Sequence, residues 1–282
     1  MISPVRFAAA LAAALLFSLP AAAQTPAQPA KPYEPQVGQP GKDVIWVPTP
    51  DEVVDRMLTM AQVTKDDLVY DLGAGNGKIA IAAAKKFGAR AIGIEYNPDM
   101  ARYAQGNVEA AGVAERAKIL QGDIFATNFS EATVVTMYLL PALNMKLRPT
   151  ILSMRPGTRI VSHSFTMEDW EPDETSVFDG RRAYFWVVPA NVAGAWQFES
   201  GAEKYELNFE QRFQKIEGSM SFSPLLQAGL RDARLRGFHI GFTLVDGNGV
   251  AKTYAGTITE GRMEGGWRAD NGTEGRWTAT KK

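Results

Sequence analysis

The feature that most constrains the fold is a glycine turn that begins with an acidic residue, at residues 71–78 (DLGAGNGK). The apolar run at residues 68–70 precedes Asp71, and an amphipathic segment starts at Lys78. This order predicts a buried strand, a tight turn and a helix, because glycines allow backbone conformations and close approaches that other residues do not. The acid before the glycines and the GxGxG spacing differ from the GxGxxG pattern of dinucleotide sites.

Composition allows a sizeable core and argues against several kinds of site. The chain has 282 residues, of which 45% are hydrophobic, and a formal net charge of -1. Its length suits one large domain or two smaller ones, and the near-neutral charge argues against a nucleic-acid partner held by a strongly basic surface. With no cysteine and only two histidines, His163 and His239, we expect no disulfide, thiolate nucleophile or metal site. The sequence does not indicate an oligomeric state.

The N-terminus has the pattern of an export signal. Arg6 precedes an alanine- and leucine-rich run at residues 7–19, and Pro20 is followed by three alanines. Small residues at this point suit a signal peptidase, and the run is short for a membrane span. We expect a signal peptide at residues 1–23, cut after Ala23, and a periplasmic or secreted protein with no stable membrane span. An uncleaved anchor and a misassigned start codon are the alternatives.

The next two segments differ sharply in pattern. Residues 24–43 are rich in Pro, Ala and Gln, which predicts an extended linker with no core of its own. Over residues 44–189, uninterrupted apolar strands alternate with amphipathic helices, and this predicts a parallel sheet covered on both faces. We expect Thr49 to cap the first helix and Pro149 to kink or break the last one.

Residues 190–282 have the pattern of a different domain. Apolar and polar residues alternate at residues 205–213 and 238–244, and the turn signal DNG stands at residues 270–272. Short strands with Gly-rich turns and no long helix predict a small antiparallel barrel or sandwich. The predicted fold class is therefore α/β, a Rossmann-like doubly wound sheet followed by a small all-β domain.

Polar side chains stand at or near the carboxyl ends of the five predicted parallel strands. These residues are Asp71, Glu95, Asp123, Tyr138 and His163. In an open α/β sheet, ligands bind beyond these ends, and an acid after the second strand commonly accepts hydrogen bonds from ribose hydroxyls. Taken singly, Glu95 could be a solvated strand end and Asp123 an Asx turn. The order of the three acids favours a nucleoside site.

These motifs resemble the class I, seven-stranded methyltransferases that use S-adenosylmethionine (SAM). Residues 44–188 are more narrowly similar to the lysine N-methyltransferase branch that includes the ATP synthase c-subunit methyltransferases. The resemblance rests on VPTP at 47–50, DLGAGNGK at 71–78, EYNP at 95–98 and residues 157–170. That branch usually has Asp-Gly-Arg where this chain has Asn-Gly-Lys. The resemblance implies a seven-stranded sheet whose last strand is antiparallel.

The resemblance also implies a SAM site. Its residues would be Thr49, Asp71, Gly73, Gly75, Asn76, Gly77, Glu95, Asp123 and Ile124. Because SAM has no phosphate, the glycine turn need only let the backbone approach the ligand. We expect Asp71 near the ammonium of the methionyl half, Glu95 on the ribose hydroxyls and Asp123 on the adenine amino group. Ile124 would pack on the adenine ring, and Thr49 would close over the methionyl end.

Tyr138 and His163 are the candidate catalytic residues, and no metal is needed. The Tyr138 ring could line the acceptor channel while its hydroxyl orients a nucleophilic nitrogen, or Tyr138 could be a core aromatic. His163 could act as a general base. The favoured interpretation is a strand-end histidine that bonds and orders the loop at residues 165–173, because methyl transfer does not always need a protein base.

Two classes of function follow. The first is a SAM-dependent methyltransferase that acts on a protein side-chain nitrogen, with lysine as the expected acceptor. The second is an exported, non-catalytic protein with a SAM-type fold, whose C-terminal β domain binds a ligand or a partner. The export pattern favours the second, since SAM is made in the cytoplasm, whereas the intact set of acids favours the first.

Overall fold

The computed structural model describes Met1, residues 33–245 and residues 249–282. Apart from Met1, the predicted signal peptide at residues 1–23 lies outside the described residues. Tyr33–Lys282 form one compact unit. None of the helices in the described ranges has the length and apolar character that a membrane span requires.

Seven strands form the first sheet. They are β1 Leu68–Leu72, β2 Arg90–Glu95, β3 Ala117–Gln121, β4 Val134–Met137, β5 Arg159–His163, β6 Glu174–Phe178 and β7 Arg181–Val187. Their order is β3-β2-β1-β4-β5-β7-β6. β1 to β5 run parallel, and β7 lies antiparallel between β5 and β6. The antiparallel last strand is therefore confirmed, whereas β6 was not predicted.

Within residues 33–245, four helices accompany this sheet. They are α1 Asp51–Met60, α2 Lys78–Phe87, α3 Pro98–Ala110 and α4 Pro141–Leu152. α3 begins with a side-chain cap, since Asn97 accepts hydrogen bonds from the amides of Asp99 at 2.9 Å and Met100 at 3.1 Å. Pro98 suits the first turn because its missing N–H would have no partner there.

Two local expectations for the helices are wrong, namely the cap at Thr49 and a break at Pro149. α1 begins after Pro50 without a side-chain cap, because the Thr49 hydroxyl faces a partner on β5 instead. Pro149 lies inside α4, and the helix continues to its end at Leu152. Burial of Ile151 against the core holds this last turn despite the hydrogen bond that a proline lacks.

Apolar side chains cover both faces of the first sheet. Val69, Val134 and Val161 pack with residues of α1 and α2, while Leu72 and Met137 pack on the other face with residues of α4. β1 and β4 are buried along their whole length. This two-sided burial fixes the strand directions, so the carboxyl ends of β1 to β5 lie along one edge.

Nine antiparallel strands form the second sheet. They are β8 Gly194–Ser200, β9 Glu203–Arg212, β10 Lys215–Ser223, β11 Leu226–Gly229, β12 Arg231–Arg236, β13 His239–Val245, β14 Ala251–Thr259, β15 Arg262–Ala269 and β16 Glu274–Lys281. Their order is β11-β10-β9-β8-β16-β15-β14-β13-β12. The two outermost strands, β11 and β12, follow one another in the chain, and β12 also contacts β10. The sheet is thus a nearly closed barrel, and the predicted fold class is confirmed.

The interior of the barrel is packed with aromatic rings. These are Trp196, Phe198, Phe209, Phe242, Tyr254 and Trp277, each at most 4% exposed. The rings contact one another directly, as in the stacked pair Phe242 and Tyr254 with centroids 4.9 Å apart. The described part of the barrel therefore has a filled core where a ligand-binding barrel would have a cavity.

Tyr33 and Lys42 contact the first domain, although the sequence assigns them to an extended linker. The Tyr33 ring meets Tyr103 of α3 edge to face, with centroids 6.1 Å apart. The Tyr33 hydroxyl accepts a hydrogen bond of 2.6 Å from the Gln39 side chain. Local composition did not reveal this packing because the partner of Tyr33 lies far along the chain.

Candidate active site

A cavity of about 320 Å³ opens at the carboxyl ends of the parallel strands, within the size range of small-molecule sites. Its walls include the glycine turn, the ends of β2 and β4, and the segment at residues 39–49. Eight of the nine predicted cofactor residues line it: Thr49, Asp71, Gly73, Gly75, Asn76, Glu95, Asp123 and Ile124. The exception is Gly77.

The glycine turn depends on backbone angles that glycine adopts without strain. Gly73, Gly75 and Gly77 have φ of 82°, 53° and 81°. The amides of Gly73 and Ala74 both donate to the Ile94 carbonyl at 2.9 Å, which ties the turn to β2. The turn is therefore held by main-chain hydrogen bonds, and Gly73 and Gly75 face the cavity.

Gly75 and Gly77 are glycines for different steric reasons. A Cβ on Gly75 would lie 2.4 Å from Nε1 of Trp46, so the indole can cover the turn only because this residue has no side chain. A Cβ on Gly77 would lie 3.3 Å from the Ala104 carbonyl, at the point where α2 begins against α3. Gly77 thus serves helix packing. Trp46 is a site residue that was not predicted, although a tryptophan just before the first helix was an available signal.

Asp71 is a buried carboxyl at the end of β1. It accepts a hydrogen bond of 2.8 Å from the Thr136 hydroxyl. Burial raises the pKa of Asp71, the Thr136 hydrogen bond opposes this rise, and the charge of Glu95 supports it, which brings the pKa to about 7. A carboxyl in this state is stabilised in its ionised form by a nearby cation, such as an ammonium group.

Glu95 holds two main-chain amides. Its two carboxylate oxygens accept the N–H groups of Gly75 and Asn97, each at 2.9 Å. Burial raises the pKa of Glu95, and the hydrogen bonds from Asn97 and Gly75 oppose that rise. Since a carboxylate has about four acceptor positions, Glu95 can still accept two bonds from ligand hydroxyls.

Asp123 has two partners of its own. One oxygen accepts the Phe125 amide at 2.9 Å, which is the Asx turn that the sequence left open, and the other pairs with Lys42 at 2.7 Å. The hydrogen bond from Lys42 lowers the pKa of Asp123. Lys42 also lies 5.0 Å from the centroid of the Tyr96 ring. Lys42 was not predicted as a site residue, and its contacts join the segment before α1 to Asp123 and Tyr96 at the cavity.

Thr49, which lines the cavity, contacts His163 behind it. The Thr49 hydroxyl lies 3.3 Å from Nδ1 of His163, and both residues are buried. Burial, together with the charge of Arg181, lowers the pKa of His163 to about 4, so the ring is neutral at pH 7. The expectation that His163 bonds the loop at residues 165–173 holds for its main chain, since the Phe165 amide donates to the His163 carbonyl at 2.8 Å, but the side chain bonds Thr49 instead.

Lys78 stands where the related methyltransferases usually have arginine, and its ammonium has partners in this structure. Its ammonium donates to the Thr49 carbonyl at 3.1 Å and pairs with Asp51 at 2.8 Å. The first residue of α2 therefore ties the start of α1 to the glycine turn. Asn76 is half-buried beside it, and its side-chain oxygen accepts the Lys78 amide at 3.3 Å.

One side of the cavity is apolar, and we call it the apolar wall. It consists of Tyr138, Leu140, Leu143 and Phe165. The Tyr138 ring stacks with Phe165 at 6.2 Å and lies 4.0 Å from the imidazole of His163, centroid to centroid. Tyr138 is thus half-buried and faces the cavity, whereas His163 lies behind it and is not among the lining residues.

Comparison with known proteins identifies the family. The sequence profile of the ANTKMT methyltransferase domain matches residues 71–174. A protein-lysine N-methyltransferase of Saccharolobus islandicus is 47% identical over 151 residues, which are 51% of this chain and 94% of that protein. The chain belongs to the ANTKMT methyltransferase family. The profile ends before the barrel begins at Gly194.

Two further relatives agree with this assignment. The lysine N-methyltransferase of the ATP synthase c-subunit from Mus musculus is 31% identical over 132 residues, 46% of this chain and 53% of that protein, so the match spans about half of that relative. An RNA methyltransferase from Salinibacter ruber, solved in complex with S-adenosyl-L-homocysteine, is 50% identical. The alignment covers 52% of this chain and 96% of that one, with a TM-score of 0.51.

The chain is a SAM-dependent methyltransferase. S-adenosyl-L-homocysteine is what remains when SAM has given up its methyl group, and the residues of the cavity fit the same molecule. Asp71 offers a carboxyl for an ammonium, Glu95 has acceptor positions for hydroxyls, and Ile124 offers an apolar surface for a base. The contacts of the individual side chains with SAM stay predictions.

Proposed function

We propose that this methyltransferase transfers methyl groups to the side-chain nitrogen of lysine in a protein substrate. The observation that carries the proposal is the apolar wall beside the cofactor cradle, where Tyr138 and Phe165 stack. A lysine side chain presents four methylene groups that such a wall can pack against. The relative from Saccharolobus islandicus, which matches over nearly its whole length, bears the name protein-lysine N-methyltransferase and supports the same acceptor.

The wall also prepares the acceptor. An ammonium is not a nucleophile, and an apolar surface disfavours the charged form, so the pKa of the lysine falls and its proton leaves to solvent. The Tyr138 hydroxyl would orient the neutral nitrogen. When bound, SAM supplies a methyl group on a sulfonium sulfur, which the nitrogen takes by direct in-line displacement. His163, whose pKa is about 4, is poorly matched to take a proton at pH 7 and instead supports Thr49 and Tyr138.

The test is a transfer assay with methyl-labelled SAM and the full chain. Fractionated envelope and cytoplasmic proteins serve as acceptors, and mass spectrometry locates the labelled residue. Label in methyllysine supports the proposal, whereas label confined to another residue type overturns it. A parallel reaction with total RNA is needed because the relative from Salinibacter ruber bears the name RNA methyltransferase. Label in RNA and none in protein would replace the proposal; the net charge of -1 argues against that outcome.

A non-catalytic binding role has less support. That role requires the β domain to bind a ligand or a partner, and a ligand inside the barrel is disfavoured because the core is filled by Phe198, Phe242, Trp277 and their neighbours. The family assignment gives the chain an enzymatic activity. The barrel therefore needs a role that is compatible with methyl transfer.

We also propose that the chain is exported, with cleavage after Ala23. The support is the positive, apolar and small-residue order of residues 1–23. N-terminal sequencing of the protein from a periplasmic extract should give a chain that starts at Gln24. Full-length protein confined to the cytoplasm would overturn this proposal and leave the methyltransferase proposal untouched.

A further inference from the structure

One hairpin of the barrel packs on the loop that follows β5. The tip of the β9–β10 hairpin, residues 212–215, contacts this loop through both of its central residues. The Phe213 ring stacks on Trp170 with centroids 5.9 Å apart. The Gln214 side chain accepts a hydrogen bond of 3.0 Å from the Trp170 indole and donates one of 2.7 Å to the Glu171 carbonyl. The hairpin tip therefore holds the loop by the stacked Phe213 ring and by the Gln214 amide, which both accepts and donates a hydrogen bond.

Two ion pairs flank the same contact. Arg212 lies 3.1 Å from Asp169, and Lys215 lies 2.6 Å from Glu171. These pairs are solvent-exposed and contribute little stability by themselves. They do fix the register of the hairpin against the loop, because each cation faces its own acid.

The same loop forms part of the active-site cavity. We call residues 164–171 the β5 loop; Phe165, near its start, belongs to the apolar wall. Asn144 donates to the carbonyls of Phe165 at 3.3 Å and Thr166 at 3.2 Å. Arg148 donates to the next carbonyl, that of Met167, at 3.1 Å. Successive carbonyls of the loop are thus held by side chains of α4.

Phe213 joins the two sets of contacts. Its ring lies 5.9 Å from Trp170 and 5.4 Å from the guanidinium of Arg148, so it touches the groups that hold the β5 loop from two directions. The ring packs with the apolar cluster of the first sheet and is not part of the barrel core. Phe213 is therefore a barrel residue whose packing partners belong to the methyltransferase domain.

Phe213 has a backbone conformation that a bulky residue disfavours. Its φ is 55°, in a two-residue turn between the paired residues Arg212 and Lys215. Glycine and asparagine are the usual residues in such conformations, and a bulky residue there is strained. Ser164 and Glu168 of the β5 loop also have positive φ, 65° and 53°. Strained residues persist where surrounding contacts over-determine them, as they do on both sides of this junction.

We propose that Phe213 is a positioning residue of the methyltransferase site. By packing on Trp170 and Arg148 it fixes the β5 loop, and the loop fixes Phe165, the part of the apolar wall against which the acceptor lies. This rests on the acceptor position given under the proposed function. It assigns the barrel a role in acceptor alignment, separate from SAM binding, because Phe213 is not among the residues that line the cavity.

The test uses the full chain with Phe213→Asn. Asparagine tolerates a positive φ, so the hairpin keeps its turn while the stacked ring is lost. We expect kcat/KM for the methyl acceptor to fall by about 10- to 100-fold, the scale of a small misplacement transmitted from outside the chemistry. The Kd for SAM should stay within about twofold, and hydrogen exchange of the β5 loop should rise. The conservative Phe213→Tyr keeps the ring and should retain wild-type kcat/KM.

Leu225→Asn is the matched control, because Leu225 lies at the tip of another barrel hairpin and is 99% exposed. It should leave kcat/KM, SAM binding and loop exchange unchanged. Equal kcat/KM in the wild type and Phe213→Asn would overturn the proposal, and so would a parallel loss of SAM binding. Failure of the lysine proposal is distinguishable, since it appears in the wild type as label on a different acceptor, and kcat/KM is then compared on that acceptor.

Discussion

The Glu95 carboxylate accepts the amide of Gly75 at 2.9 Å, so the last residue of β2 holds the glycine turn that follows β1. Its other oxygen accepts the amide of Asn97, the residue that caps α3. One side chain therefore joins three elements around the cavity and still faces it. The acid that the sequence assigns to ligand binding is also a structural member of the site.

Replacement of Glu95 should weaken SAM binding strongly. Glu95→Ala removes hydrogen bonds to a charged acceptor, each of about 1.5–3 kcal/mol, so we expect a Kd at least ~10-fold higher by isothermal titration calorimetry. Glu109→Ala is the control, because Glu109 is exposed on α3 and does not line the cavity. Unchanged affinity in Glu95→Ala would refute the ribose assignment.

Binding of SAM should depend on pH through Asp71. The free carboxyl, with a pKa of about 7, is largely protonated at pH 6, and a bound ammonium favours the ionised form. Affinity should therefore rise from pH 6 to pH 8, and binding below pH 7 should release protons. Calorimetry in two buffers of different ionisation enthalpy measures this release. Asp71→Asn should bind more weakly and show neither effect.

Asp71 should also make the stability of the folded chain depend on pH. Stability should fall as the pH rises, whereas SAM affinity should rise. Because the folded-state pKa of Asp71 is raised, its contribution is fully present below the unfolded value and is lost as the pH rises through about 7. Relative to the wild type, Asp71→Asn should therefore gain about 2–3 kcal/mol of unfolding free energy between pH 5 and pH 8. Urea unfolding at both pH values measures the change. A constant difference would show that Asp71 does not titrate in this range.

His163 should prove dispensable as a base. Loss of a general base typically costs about 10²- to 10⁴-fold, whereas His163→Gln can still bond Thr49 and should lower kcat by less than ~10-fold. Its pH–rate profile should match that of the wild type, because neither protein should show the inflection near pH ~6.5 that a titrating histidine base would produce. His239→Gln, at the exposed start of β13, is the control. A larger loss that exogenous imidazole restores would make His163 the base.

Gly75→Ala should disturb both the turn and its indole cover. The new Cβ would collide with Trp46, in addition to the strain of a φ of 53°. We expect a higher Kd for SAM and a shift in tryptophan emission. Gly112→Ala separates the two effects, because Gly112 has a φ of 71° and open space around its Cβ position. Gly112→Ala should also lower the free energy of unfolding by about 1 kcal/mol through its backbone strain, while SAM affinity stays unchanged.

Features with local signatures could be predicted. The strand–turn–helix at residues 68–87 follows from an apolar run, three glycines and an amphipathic segment. The Asn97 cap follows from an Asn-Pro pair before a helical pattern. The order of Asp71, Glu95 and Asp123 at consecutive strand ends indicated one site, and all three line a single cavity.

Features that depend on distant partners could not be predicted from the sequence. Thr49 looked like a helix cap, and only folding brings its hydroxyl to His163, 114 positions away. Phe213 and Gln214 form a turn without any of the usual turn residues, because their partners on the β5 loop outweigh the local preference. Pro149 remains helical for the same kind of reason.

By itself the sequence determined the fold class and the family, and through them the cofactor. These depend on periodicity and on the rule that the carboxyl ends of parallel strands meet at one edge. The tertiary structure decided what surrounds that edge, namely Lys42 on Asp123, Trp46 over Gly75, and Phe213 against the loop that carries the apolar wall. Such contacts join residues far apart in the chain, so their energy resides in packing and charge pairing that no local pattern encodes.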